Sequence, residues 1–152
     1  MATNDEIVQV LKDKFGDNIK EVVTDDFKHT YVTISRDILK DAAKTIAENM
    51  EKPLAEMVAV SDFAEKQEFE LVYTFWDYVG KNLIHLKVYV PYSDPVVPSL
   101  ALDFPALDWY EREGHEMFGV NFEGHPNLAP LLLEGFEGEY PMRKSFKLER
   151  NR

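Results

Sequence analysis

The sequence predicts an α+β fold: a two-layer sandwich, with a mostly antiparallel sheet carrying helices on one face, plus an irregular C-terminal docking extension. Three observations lead there. Helix-spaced and strand-spaced apolar runs follow one another in the order α, β, α, β, β, β. Two strand runs, residues 69–76 and 83–90, alternate in phase and are joined by the short link DYVGKN. After Gly119 the periodicity stops, while bulky apolar residues, glycines and prolines continue.

The first helix opens on a capping box, Thr3 with Glu6 three residues on. Ile7, Leu11 and Phe15 then recur at helical spacing with Val8 beside them, and Gly16 is placed to end the helix. Residues 29–35 contain Tyr31, Val32, Thr33 and Ile34, a strand-forming run. Ser35 or Asp37 is the expected cap of a second helix, whose stripe is Leu39, Ala42, Ala43, Ile46, Ala47 and Met50, and Pro53 is expected to stop it.

Three strands are expected next, at 57–61, 69–76 and 83–90. In the second, Phe69, Leu71, Tyr73 and Phe75 share one face, and Glu70, Val72, Thr74 and Trp76 the other. In the third, Ile84, Leu86, Val88 and Val90 point inward, while His85, Lys87 and Tyr89 point outward. Gly80 and Asn82 suit a hairpin between these two strands. Pro91, Pro95 and Pro98 end strand structure, so YSDPVVPSLAL reads as an extended crossover. The organisation expected is an α+β domain over 1–104, then a helix and extended partner-docking segment over 105–152.

Composition narrows the chemistry. A chain of 152 residues without cysteine has no disulfide, thiolate nucleophile, cysteine-ligated zinc or iron–sulfur cluster of its own, and fits a reducing cytoplasm. No apolar run reaches the roughly 18–20 residues needed to span a bilayer, and MATNDEIVQV lacks the pattern of a signal peptide. A net charge of −11 makes nucleic acid a poor partner. The charge is uneven: Arg143, Lys144, Lys147, Arg150 and Arg152 face only Glu149 at the end of the chain. That basic tail is either a solvated terminus or a segment that docks on an acidic surface, a partner's or its own.

Residues 106–118 read as a helix with Leu107, Tyr110, Gly114 and Met117 as its core stripe. Asp108 with Arg112, Glu111 with His115, and Arg112 with Glu116 are i,i+4 pairs, and Gly119 ends the helix. Trp109, Tyr110 and Phe118 lie among these charges, the mixture that protein interfaces enrich. The following segment holds Phe122, Leu128, Leu131, Leu132, Leu133, Phe136 and Tyr140, more apolar surface than a loop leaves wet. Catalytic alternatives are weak. His115-Glu116 begins like a zinc-protease helix, but position 119 is glycine, and His29 and His85 read as ordinary surface groups.

The run Glu111-Arg112-Glu113-x-x-Glu116-Met117-Phe118 is followed by His125-Pro126-x-Leu128 and Gly135-Phe136-x-Gly138. Pro141-x-Arg143-Lys144-x-Phe146 completes the pattern. Together they resemble the C subunit of respiratory complex I, the NADH:quinone oxidoreductase. That family also supplies a component to F420H2 dehydrogenases and to energy-converting membrane-bound NiFe hydrogenases. One departure stands out: the family's pattern places an arginine where this chain has Ala129.

The resemblance implies a scaffold component of a hydrophilic arm, without catalytic, cofactor-binding or metal residues of its own. It would pack against the hydrogenase-large-subunit-like chain (the D-type component of complex I) and neighbouring iron–sulfur subunits. Iron–sulfur clusters, and in some assemblies a NiFe centre or a quinone, would lie in those partners. The chain would sit peripherally at the cytoplasmic face of the membrane and reach it only through partners. The expected partner-interface residues are Trp109, Glu111, Arg112, Glu113, Glu116, Phe118, His125, Leu128, Phe136, Arg143 and Lys144. Arg112 and Arg143 are expected as buried or half-buried contacts gripping carboxylates or carbonyls, with Glu111 and Glu116 holding them in place. Two other readings compete: a free-standing acidic protein-binding module, and a small hydrolase.

Overall fold

The computed structural model describes residues 2–133 and 138–148. In chain order the elements are α1 (Asn4–Phe15), β1 (Ile19–Thr24), β2 (Thr30–Ile34), α2 (Leu39–Glu48), β3 (Pro53–Phe63), β4 (Glu68–Asp77), β5 (Leu83–Pro91), β6 (Val96–Pro98), α3 (Asp108–Phe118) and β7 (Asn121–Glu123). Five strands form one sheet in the order β1-β2-β5-β4-β3, antiparallel except where β2 lies parallel to β5. β6 and β7 form a small parallel pair.

The expected faces of β4 and β5 are the observed ones. Phe69, Leu71, Tyr73 and Phe75, with Ile84, Leu86, Val88 and Val90, have no exposed surface. They share one core with Ile7 and Leu11 of α1, with Leu39, Ala42, Ala43 and Ile46 of α2, and with Phe118 of α3. The three helices therefore cover one side of the sheet, the arrangement of a two-layer sandwich. Leu107, Val120 and Phe122 enter the same core, which seats the stretch around α3 against β3.

α1 forms as its sequence dictates. Thr3 accepts from the Glu6 N–H, Glu6 reaches back to the Thr3 N–H, and Gly16 closes the C-terminus in a positive-φ conformation. β1 escaped the sequence reading because IKEVVT is an edge strand with most of its surface in water. Neither Ser35 nor Asp37 caps α2 with its side chain; a single 3-10 turn, Arg36–Ile38, leads into it instead. Pro53 does not stop that helix either. α2 ends at Glu48, and Pro53 begins β3, an edge position where a missing N–H costs no ladder bond. β3 is also longer than expected, with a bulge between Ala55 and Met57.

The β4–β5 hairpin is tied down by Asp77, whose carboxylate accepts from the N–H groups of Glu51, Lys52, Val79 and Gly80. Burial pushes its pKa up, but those four N–H groups outweigh burial and hold it below the usual range. The other sheet face carries no helix. His85 is nonetheless buried there, stacked on Tyr31 at 4.5 Å and bonded to Thr74 at 2.9 Å, so it is not the surface group expected. Burial, with His29 adding to it, lowers its pKa.

Candidate functional site

α3 starts from a 3-10 turn with Pro105 at its head and ends at Gly119 (φ +79), whose N–H returns to the His115 carbonyl at 2.8 Å. Its buried row is Leu107, Glu111, Gly114 and Phe118: Leu107 and Gly114 face the core as expected, Glu111 and Phe118 take the places expected of Tyr110 and Met117, and Met117 is half-buried against the core. Tyr110 is 39% exposed, and a carboxylate occupies the buried row in its place. A side chain at Gly114 would meet Val60 Cγ2 at 3.0 Å and Phe122 at 3.3 Å, so the helix approaches β3 closely. Helical spacing suggested Tyr110 as a core residue, and spacing alone fits two neighbouring rows; packing against β3 decides which row turns inward.

Glu111 joins α3 to the crossover. Its two oxygens accept from Ser99 Oγ (2.6 Å) and from the Leu100 N–H (2.7 Å), with no exposed surface. Burial raises its pKa, and those two hydrogen bonds offset only part of the rise. His125 has a fully buried side chain. Its Nε2 lies 2.7 Å from Asp108 Oδ1 and 3.9 Å from Glu111 Oε2, while Nδ1 accepts from the Asn127 N–H. The acceptor role of Nδ1 places the proton of a neutral ring on Nε2. Nε2 is aligned on the Asp108 carbonyl oxygen at 3.4 Å rather than on Oδ1, which has no hydrogen-bond partner.

One turn apart on α3, Arg112 and Glu116 grip consecutive residues of the following loop. Arg112 donates to the Ala129 carbonyl from Nε and Nη2, both at 3.2 Å, and to the Pro130 carbonyl at 3.4 Å. Glu116 accepts from the N–H groups of Leu131 (3.1 Å), Leu132 (2.9 Å) and Leu133 (2.7 Å). Burial works to raise the Glu116 pKa, but those N–H groups and nearby Arg112 outweigh it, leaving the carboxyl below its ordinary range.

Arg143 donates to the Phe118 carbonyl at 2.6 Å and stacks over Tyr140 (4.4 Å) and Phe69 (5.1 Å). A side chain on Gly119 would strike both Arg143 and Tyr140 at 2.7 Å. Lys144 contributes its backbone N–H, which donates to Asp62 Oδ2 at 2.8 Å; Tyr92 donates to the same carboxylate. The start of the basic tail thus docks on its own body, while 149–152 lie outside the described residues.

The expectation that Glu111 and Glu116 hold the arginines is corrected. Both carboxylates are taken by N–H and O–H donors, and both arginines hold carbonyls. A loop without ladder bonds leaves individual backbone groups to satisfy, and these charged side chains satisfy them. Likewise, none of the three i,i+4 pairs closes to an ion pair among the described residues.

Glu111, Phe118, His125 and Arg143 turn inward, Leu128 is half-buried against the core, and Lys144 is exposed. Phe136 lies outside the described residues. Trp109 (67% exposed) and Glu113 face water. With Tyr110, Leu131, Leu132, Pro105 and Ala106 they line a groove of about 470 Å³. Sequence reading missed Ser99, Asp62 and Tyr92 as partners of signature residues. A usable signal existed for Ser99 alone, since a carboxylate in the 107-111-114-118 row requires a donor opposite it. The Ser99 hydroxyl bonds a carboxylate rather than a histidine, which does not make a hydrolase nucleophile.

A sequence profile described as the respiratory-chain NADH dehydrogenase 30 Kd subunit matches residues 32–152. The C subunit of NADH-quinone oxidoreductase from Dinoroseobacter shibae is 41% identical over 95 residues, 61% of this chain and 43% of that protein. NADH-ubiquinone oxidoreductase subunit 9 of Reclinomonas americana is 44% identical over 97 residues, 62% and 46% respectively. The matched stretch spans less than half the length of these relatives. Among solved structures, a chain of the membrane-bound sulfane sulfur reductase, an archaeal respiratory membrane complex, superposes with a TM-score of 0.82 at 26% identity. That match covers 95% of this chain and 85% of the other. A trypsin-resistant fragment of Nqo5 superposes with a TM-score of 0.66 at 22% identity, covering 80% of this chain and 98% of the fragment, a likeness of fold.

Proposed function

Because the chain belongs to the family of the respiratory-chain NADH dehydrogenase 30 Kd subunit, we propose that it is a non-catalytic scaffold subunit of a membrane-bound respiratory oxidoreductase. The carrying observation is the superposition of 95% of the chain on a component of an archaeal respiratory membrane complex. Its neighbours in this reading are a hydrogenase-large-subunit-like chain and iron–sulfur subunits. Those chains hold the clusters and the quinone or NiFe site. No helix among the described residues is long and apolar enough to cross a membrane. In this reading the chain is peripheral, lies on the cytoplasmic face and is held there by its partners.

The chain's contribution is geometric. A misplacement of about 1 Å at a reacting centre can cost roughly a hundredfold in rate, so a rigid brace between redox subunits has kinetic value. α3 is suited to bracing, because Gly114 packs without clearance against Val60 and Phe122, and Glu111 locks the helix to the crossover.

Purification of the tagged chain from native membranes tests this. It should elute with an iron–sulfur subunit and a large-subunit-like chain. Recovery as a lone 17.6 kDa protein from the soluble fraction would refute it. Two cysteine pairs in the large partner would mark a hydrogenase; their absence would mark a quinone reductase or another reductase.

A further inference from the structure

Arg112 and Glu116 hold the 129–133 loop by its carbonyls and its N–H groups together. These bonds set the path of the loop's backbone and the side of it from which each side chain leaves. Leu132 is left 61% exposed beside Trp109 at 67%, with Tyr110, Leu131 and Pro105 completing an apolar groove. An arginine and a carboxylate are thus committed to holding a leucine in water, against the tendency of apolar side chains to bury. A groove built in advance loses little conformational freedom on binding, and a Trp and a Tyr at its wall are the residues that dominate binding energy.

We infer that this groove receives an apolar side chain from a partner polypeptide that carries a lysine or arginine next to it. The inference rests on the scaffold reading above and names the partner chemistry at one surface. The cation follows from Glu113. It lines the same groove, is exposed, and forms no ion pair among the described residues. Any chain that covers Trp109 and Leu132 also covers Glu113. A carboxylate covered without a partner is strongly unfavourable, so an occupant that brings neither a cation nor hydrogen-bond donors is rejected and an acidic one more strongly; of the two, a cation meets the charge with a single side chain. The net charge of −11 biases the encounter in the same direction.

The test uses the full-length chain in its native host with Tyr110 replaced by the photo-cross-linker p-benzoylphenylalanine. The complex is purified from membranes and the cross-linked peptide sequenced. The expected peptide belongs to another polypeptide of the complex and has an apolar residue with a lysine or arginine within one helical turn. In separate strains, Trp109→Ser and Glu113→Lys should each lower recovery with that partner by about tenfold or more. The unfolding midpoint of either purified variant should match the parent. Changing the partner's cation to glutamate should restore recovery of Glu113→Lys. A cross-link to a second copy of this chain, a peptide without a cation, or parental recovery of Glu113→Lys would overturn the inference while leaving the scaffold reading standing. A parent chain that elutes alone would overturn both.

Discussion

Between Val32 and Val90 the chain is held mainly by strand ladders and by side chains touching side chains, with Asp77 at the hairpin as the exception, whereas between Arg112 and Lys144 charged side chains hold much of the backbone. In the first region the ladder of five strands satisfies the main chain, and apolar faces need only pack. In the second, few residues have ladder partners. Arg112, Glu116, Arg143 and Asp62 each satisfy one or more carbonyls or N–H groups instead. Packing spreads its energy over many contacts, so it stabilises cooperatively. Gripping concentrates energy in a few directional bonds, so it is local and releases piece by piece. It also frees the gripped segment's apolar side chains to face outward, which is what a docking surface needs.

Substitutions in each region test the difference. The largest effect belongs to the packed region: Phe75→Ala, at a position with no exposed surface, should cost about 3–5 kcal/mol of global stability in urea unfolding. A smaller loss would mean that the sheet core is less decisive than its packing suggests. Glu111→Ala, at the seam between the two regions, leaves the Ser99 hydroxyl and the Leu100 N–H buried without acceptors and should cost roughly 2–4 kcal/mol. Glu111→Gln should be far milder, because burial already favours the uncharged acid there. Equal losses in the two variants would contradict a raised pKa.

Glu116→Ala should leave the global unfolding midpoint nearly unchanged. Amide protection at Leu131, Leu132 and Leu133 should fall by about 1–3 kcal/mol of local opening energy, read by hydrogen exchange. A global loss of the same size would mean that gripping and packing form one cooperative unit.

Acid titration separates the carboxylates. Glu116 and Asp77 have folded-state pKa values held below ordinary ones, so their contribution is present above the unfolded value, about 4.3 for Glu and 3.9 for Asp, and is lost as pH falls through the folded value. Glu111 is raised, so its unfavourable contribution is present above its folded value and is relieved in acid. Between about pH 6 and pH 3, a window bracketing those unfolded values, exchange corrected for intrinsic rate should speed up at 131–133 and around Val79 and Gly80, while the Leu100 amide stays protected. Earlier release of Leu100 would reverse the assignment. The smallest effect is Trp109→Ser, expected to change stability by less than about 0.5 kcal/mol, since the side chain is mostly in water.

How much of this was legible in the sequence differs between the two regions for a physical reason. The capping box at Thr3, the inward rows of β4 and β5, the hairpin between them and the stop at Gly119 all follow from spacing over a few residues. Partners of the signature residues do not. Ser99 lies twelve positions before Glu111, and Asp62 lies eighty-two before Lys144. No local pattern encodes those distances.

Local spacing was enough to read the sandwich, the inward rows of β4 and β5 and the helix stop at Gly119, but not the edge strand β1 or the β6–β7 pair. Periodicity is a property of neighbours along the chain. Packing in three dimensions set Glu111, Arg112, Glu116 and Arg143 on backbone groups while Glu113, Trp109, Tyr110 and Leu132 stay in water. That choice depends on which row of α3 fits against Val60 and Phe122, where a glycine leaves room for one orientation. Once Glu111 is carried inward by that fit, Arg112 and Glu116 fall beside the loop, and the residues left on the far side make the groove.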